Sequence, residues 1–174
     1  MPFTADEEAQ LRGLLDKQAI EEVVLRYCRG IDRMDEELVR SCYHPDATDE
    51  HGSFTGNVDE FLTWVWKLVS RHESTFHFVG NILIELEGDL ASSESYGVSI
   101  HRSRSTEPAR NLMVGFRYVD RFERRGGEWR IGRRVGVTEW ARHAPAELQW
   151  PVGGGMRSGE RGPGDVVYSI LRDG

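Results

Sequence analysis

Cysteine is scarce in this chain, long apolar runs are absent, and so is any block of like charge. Two cysteines stand among 174 residues, Cys28 and Cys42, both at core-like helical positions where a free thiol behaves as a small hydrophobe. That usage argues against a disulfide framework and for a reduced, cytoplasmic setting. No stretch approaches the ~18 apolar residues of a membrane span, and MPFTADEEAQ lacks the charged segment and apolar run of a secretory leader. Net charge is −7, and the arginines of 121–125 and 130–134 are interleaved with Asp120, Glu123 and Glu128. Neither nucleic acid nor an anionic membrane surface is therefore expected as a partner. The six histidines lack the i, i+4 or Cys/His spacing of a metal centre, and no glycine-rich loop follows a strand and opens a helix. The expectation is a protein without metal or other cofactor.

What is present is enough apolar material for one core: 39% of residues are hydrophobic and 10% aromatic. The first ~70 residues carry a helical period and the next ~70 a strand-like one, an order that predicts α+β with helices on one face of an antiparallel sheet. Leu11, Leu14, Leu15, Ala19, Ile20, Val23, Val24, Tyr27, Cys28 and Ile31 form one stripe of a helix over 11–31. Asp35 caps a second helix over 36–42, stopped by Pro45. Phe61, Leu62, Val65, Trp66, Leu68 and Val69 mark a third, opening after Asp59. Strands are expected over 48–54, 76–87, 91–103, 112–124 and 128–140, with hairpin turns at Glu87-Gly88-Asp89 and Arg125-Gly126-Gly127. The domain is expected to span 1–142. A glycine-rich tail over 143–174 follows, a lid or subunit contact whose anchors are Trp150, Met156, Val166, Val167, Tyr168, Ile170 and Leu171.

Asp32 stands out chemically. It follows Ile31 beside the core stripe, where a carboxylate within reach of an imidazole becomes a proton acceptor or donor. The competing reading is a solvated aspartate at a helix end. In the last strand, strict alternation puts Arg133 on one face with Trp129, Ile131, Val135 and Val137, and Arg130, Gly132, Arg134 and Gly136 on the other. A guanidinium in an apolar stripe must meet an acceptor, either a carboxylate or a substrate oxygen.

The segments RYCRGIDRMD, CYHPDATDEHG, STFHFVGNILIELEGD, ESYGVSIHR and YVDRFERRGGEWRIGRRV, in this order, resemble the SnoaL-like branch of the nuclear transport factor 2 superfamily. The resemblance covers roughly residues 8–142. It implies a cystatin-like α+β cone, three N-terminal helices packed on a curved, mostly antiparallel sheet around a deep, mostly apolar pocket. The chain is similar to scytalone dehydratase, hexachlorocyclohexane dehydrochlorinase, bile acid 7α-dehydratase and ketosteroid isomerase. In the dehydratase and dehydrochlorinase members an Asp–His pair removes a proton from carbon while a leaving group departs. Asp32 and His77 fall where that pair would lie. Tyr27 falls where those enzymes place a Tyr or Lys, and Arg133, or Arg134 after a one-residue slip, near their pocket arginine. His101 falls at a second polar position. His51, Trp66, Tyr96 and Phe116 are the expected substrate contacts.

Physical chemistry supports the carry-over. A carboxylate beside an imidazole fixes its tautomer and makes it a general base for a carbon acid. Departure of the leaving group then needs a proton donor or a cation, for which Tyr27, His101 and Arg133 are candidates. Each residue also has a plainer reading. Tyr27 sits on the core stripe, His77 lies between Phe76 and Phe78, Asp49 and His51 serve equally well to stabilise a turn, and Arg133 could hold Asp32 as a counter-ion. The expected function is a cofactor-independent lyase of dehydratase type acting on a small hydrophobic cyclic, aromatic or steroid-like substrate. The alternatives are a ketosteroid-isomerase-like isomerase and a non-catalytic protein, either ligand-binding or resembling the β-subunit of a ring-hydroxylating dioxygenase. A homo-oligomer, dimer or trimer, is expected through a polar and glycine-rich sheet face that the helices leave uncovered.

Overall fold

Thr4 opens the first helix, α1 (Ala5–Arg33), by a reciprocal cap: its hydroxyl accepts the Glu7 N–H while the Glu7 carboxylate accepts the Thr4 N–H. The computed structural model describes residues 2–103, 110–145, 155 and 157–170. Asp6, Glu7 and Glu8 in the first turn suit the positive end of the helix dipole. The helix begins six residues earlier than the apolar period indicated, and its closed stripe begins later. Leu11, Leu14 and Leu15 are exposed, and continuous burial starts only at Ile20. Met34, in the left-handed region at φ 55°, ends the helix.

Asp35 accepts the Leu38 N–H and caps α2 (Glu36–Ser41). The single strand expected over 48–54 is two strands, β1 (Tyr43–His51) and β2 (Phe54–Asn57), folded back at Gly52, whose φ of 60° a side chain would resist. Asn57 and Glu60 form a second reciprocal cap for α3 (Val58–Val69). Four long strands follow: β3 (His72–Glu87), β4 (Leu90–Ser103), β5 (Arg110–Arg125) and β6 (Glu128–Pro145). They form a six-stranded sheet in the order β2-β1-β6-β5-β4-β3, antiparallel except where β1 runs parallel to β6. The core is the space between the helices and this curved sheet. Ile20, Val23, Val24, Tyr27 and Ile31 of α1 meet Phe61 and Leu62 of α3 and Ile84, Tyr118, Phe122 and Ile131 of the sheet.

β6 breaks strict alternation. Phe122 pairs with Ile131 and Arg121 with Arg133, so Gly132 is an extra residue without a partner. This bulge reverses the side-chain direction beyond it. Arg134, not Arg133, consequently joins Trp129 and Ile131 on the inner face. Its guanidinium is fully buried, donates to both Asp120 oxygens at 2.8 and 2.7 Å, and lies between the Tyr27 and Tyr118 rings at 4.1 and 4.0 Å. Arg133 turns outward with a side chain 60% exposed, 4.0 Å from Glu50. A second bulge leaves Glu139 unpaired, and a third, at Asn81 with φ 51°, bends β3.

The uncovered outer face of the sheet is also unlike the expectation. It carries an apolar patch, with Phe76 and Phe78 of β3, Tyr96 and Ile100 of β4 and Trp140 of β6 all exposed, set around the ion pairs of Arg117 with Glu94 and Glu139. No helix among the described residues is long and apolar enough to cross a membrane.

The buried ion pair generates a contrast. Asp120→Ala strands a guanidinium in the core, which costs about 3–5 kcal/mol and, in a chain of this size, lowers Tm by roughly 10 °C. Arg133→Ala should change stability by less than about 0.5 kcal/mol. Thermal denaturation of the two variants checks both values, and a larger loss in Arg133→Ala would refute the assignment of the inner arginine.

Candidate active site

Between α1, α3 and the inner face of the sheet lies a cavity of about 340 Å³, near the lower end of the range for small-molecule sites. Tyr27 and Ile31 of α1, Trp64 and Leu68 of α3, and Leu112, Val114, Phe116 and Tyr118 of β5 supply most of its apolar wall. Four imidazoles enter it: His51 from the end of β1, His72 and His77 from β3, and His101 from β4.

The last turn of α1 aims Asp32 at β3. Cys28 and Asp32, one helical turn apart, are both buried on the sheet side of the helix. One carboxylate oxygen lies 2.7 Å from Nδ1 of His77, and the other accepts the His77 backbone N–H at 2.8 Å. Both oxygens are thus held by one residue, fixing ring and carboxylate together. With Asp32 ionised, Nδ1 carries the proton and Nε2 keeps its lone pair for the cavity. This arrangement can remove a proton from a bound molecule and share the resulting charge with Asp32.

His101 stands beside this pair, its ring centre 5.9 Å from that of His77 and 5.0 Å from that of His72. Nε2 meets the Ser99 hydroxyl at 3.2 Å. Burial first, then the neighbouring His77 and His72, holds its pKa down at about 4. His101 is therefore neutral at neutral pH, suited to hydrogen bonding and not to service as a cation. Tyr27 borders the cavity as part of an aromatic cluster, stacked with Phe61 and edge-on to Tyr43 and Tyr118. Burial pushes its phenol well above its ordinary pKa. His51 approaches from the other side, its Nδ1 3.5 Å from Asp49, whose second oxygen accepts the Tyr43 hydroxyl at 2.7 Å.

The structure thus brings His77, Tyr27, His101, His51 and Phe116 around one cavity, with Asp32 bonded to His77 behind its wall. Three expected site residues lie elsewhere. Arg133 faces solvent because of the Gly132 bulge, and its inner neighbour Arg134 is sealed beneath Tyr27 and Tyr118 without lining the cavity. Trp66 faces α2, donating its indole N–H to Glu36 at 2.8 Å. Trp64 is the tryptophan in the wall; it belongs to the Phe61, Trp64, Val65, Leu68 stripe, a signal that helical spacing already contained. Tyr96 is on the outer face, its ring beneath the Arg117 guanidinium. His72 was missed because the expected strand began at Phe76 and because a register shift between His72 and Ser74 puts it on the same face as His77.

Part of the tail reaches the site's edge. Arg161 donates to the backbone oxygens of Val69 and His72, tying the α3–β3 junction that lines the cavity. Gly162 N–H bonds the Arg33 carbonyl, Arg33 pairs with Asp165, and the Tyr168 hydroxyl donates to Asp35 at 2.8 Å. Val166, Val167 and Tyr168 are half-buried and Ile170 is exposed, while the expected anchors Trp150, Met156 and Leu171 lie outside the described residues.

A family model described as a SnoaL-like domain matches residues 12–135, and the chain belongs to this family, within the nuclear transport factor 2 superfamily. An uncharacterised protein of Mycobacterium tuberculosis is 25% identical over 125 residues, 69% of this chain and 83% of its own. Among solved structures, a hexachlorocyclohexane dehydrochlorinase (LinA, type 2) superposes with a TM-score of 0.74 at 20% identity, covering 83% of this chain and 99% of that one. A scytalone dehydratase candidate from Novosphingobium aromaticivorans gives 0.69 at 20% identity, covering 83% and 97%. A protein from Nostoc punctiforme with a cystatin-like fold gives 0.62 at 20%, covering 80% and 96%. These structural likenesses establish the α+β cystatin-like fold.

His101 makes stability depend on acid. Its pKa falls from an ordinary 6.5 to about 4 on folding, so the unfolded chain binds the proton better. The stability it permits is complete above about pH 6.5, declines as pH falls and is lost below about pH 4. His101→Gln should flatten that decline in Tm across this window. Thermal melts of both proteins at several pH values measure it, and parallel curves would contradict the assignment.

Proposed function

We propose that this SnoaL-like protein is a cofactor-independent lyase that eliminates a leaving group from a small hydrophobic cyclic, aromatic or steroid-like substrate. The observation that carries the reading is the Asp32–His77 pair, with both carboxylate oxygens engaged by His77 and Nε2 left for the cavity. Nε2 takes the proton from a substrate carbon, the C–H electrons become a carbon–carbon double bond, and the leaving group departs from the adjacent carbon with its bonding pair. Asp32 offsets the charge that His77 acquires. The apolar wall keeps water away and strengthens that electrostatic support. The names of two structural neighbours, a dehydrochlorinase and a scytalone dehydratase candidate, denote loss of hydrogen chloride and of water, which agrees with elimination. Asp120 argues against the isomerase alternative. It is the strand carboxylate such an enzyme would need as base, and it is buried against Arg134.

Proton abstraction and elimination are separable. Exchange of the acidic C–H of 2-tetralone in deuterated water reads the first by NMR, and conversion of 3-hydroxy-1-tetralone to 1-naphthol reads the second by fluorescence. His77→Gln and Asp32→Asn should each lower both rates by roughly 10²-fold or more with little change in Tm. Rates unchanged beside a large loss of stability would show a structural pair, and a wild-type protein inert towards such ring ketones would favour a non-catalytic binding role.

We also propose a cytoplasmic homo-oligomer, dimer or trimer, assembled through the outer-face patch of Phe76, Phe78, Tyr96 and Trp140. Sedimentation should give a multiple of the 19.9 kDa chain. A monomer at micromolar concentration would refute it.

A further inference from the structure

A second carboxylate–imidazole pair faces the same cavity, and it differs from the first in a telling way. The Asp49 side chain has no exposed surface. One of its oxygens accepts the Tyr43 hydroxyl at 2.7 Å, whereas Oδ1 has no hydrogen bond. The group opposite Oδ1 is Nδ1 of His51, 3.5 Å away, buried and likewise without a hydrogen bond. Buried polar atoms left open in this way are rare in folded proteins. Asp32, by contrast, is satisfied by two short bonds from His77.

Titratable and charged groups surround the second pair. Facing it are Tyr43 from its own strand, Tyr27 from α1, Tyr118 and Asp120 from β5, and Arg134 from β6; Phe61 and Trp64 of α3 add aromatic rings. Arg134 gives Nε and Nη2 to Asp120, while its Nη1 is buried without a hydrogen bond. Asp49 thus keeps one oxygen open towards the His51 ring, and the His51 Nδ1 is the polar atom placed opposite it. His51 is 28% exposed on its cavity side, and β6 makes room for it with Gly136, where a Cβ would come within 3.3 Å of the ring.

The two pairs also lie at opposite ends of an aromatic floor. Ring centres run from His51 to Tyr118 at 5.7 Å, on to Phe116 at 4.5 Å, and then to His77 at 6.0 Å. Two rings thus separate the imidazoles.

We propose that His51, held against Asp49, is a substrate-binding group that receives an anionic or strongly accepting substituent of a one- or two-ring substrate whose acidic C–H faces His77. Nε2 donates to that substituent and Nδ1 closes onto Asp49. The assignment names the substrate class of the site described above and rests on that reading, so its test measures binding and not turnover.

The probes are 2-naphthoate and its neutral isostere 2-naphthamide, titrated into the full chain by calorimetry. Wild type should prefer the carboxylate by about tenfold or more near pH 6. His51→Gln should abolish the preference while keeping affinity for the amide, Asp49→Asn should weaken it, and His77→Gln should keep it. In unsubstituted protein, imidazole ¹⁵N signals of His51 should show both nitrogens protonated in the naphthoate complex. Equal affinity for the two probes, binding of neither, or a preference that survives His51→Gln would overturn the proposal. Proton exchange on 2-tetralone without carboxylate preference overturns the His51 assignment alone, and preference without exchange overturns the lyase reading alone.

Discussion

The Arg134–Asp120 pair is the constraint from which the rest of the site follows. It joins β5 to β6 inside the core, and its guanidinium is faced by Tyr27 from α1 and Tyr118 from the sheet. Burying a cation costs free energy unless a carboxylate and good packing offset it, and here both oxygens of Asp120 and two aromatic faces do so. Tyr27 thereby fixes the rotation of α1 about its axis. Once Tyr27 points at Arg134, Ile31 follows one turn on at the cavity, and Asp32, one turn beyond Cys28, points at β3. The direction of Asp32 is therefore set by packing five residues away from it.

That rotation gives the cavity its chemical polarity. At one end Asp32 holds a single tautomer of His77, with His101 neutral beside it. At the other end Asp49 and His51 lie above the ion pair, close enough for its charges to be felt. Between them run apolar and aromatic side chains, which lower the local dielectric and make each charge count for more than it would in water. A ring-shaped guest would thus meet a base at one edge and a polar group at the other while burying its faces against Tyr118 and Phe116. Burial serves a different purpose at Cys28, whose thiol is pushed up to about 12 and so stays protonated as core filling.

Much of this was legible in the sequence, for identifiable reasons. Helix caps and apolar periods are local signals, so Asp35, the α3 stripe and both long hairpins could be read directly. Asp32 was legible because a carboxylate beside an apolar stripe violates the pattern around it. Trp66 was misread although the information was present, since Trp64 has the better helical spacing to Phe61 and Leu68. The inner arginine was misread for a deeper reason. Alternation assumes an unbroken ladder, and nothing local to Gly132 declares that two residues of β6 will face one step of β5. Tyr96 and His72 were displaced by the same kind of assumption, one about which face of β4 turns inward and one about where β3 begins. The exposed Leu14 shows the opposite limit, since a helix can continue its apolar period past the end of the surface it packs on.

The bulges that obscured the pattern also make the site. A regular six-stranded ladder would twist but would not bend sharply enough to enclose a cavity with three helices. The extra residues at Asn81, Gly132 and Glu139 bend three places in two strands, and each also switches which side chains face inward. At Gly132 one inserted residue does both: it bends β6 and turns Arg134 under the tyrosines in place of Arg133. At Glu139 the shift follows Thr138, which lines the cavity, and leaves Trp140 outside, across Gly115. Curvature and chemistry thus have the same origin, because a residue without a partner in the ladder changes the direction of the strand and the parity of everything after it.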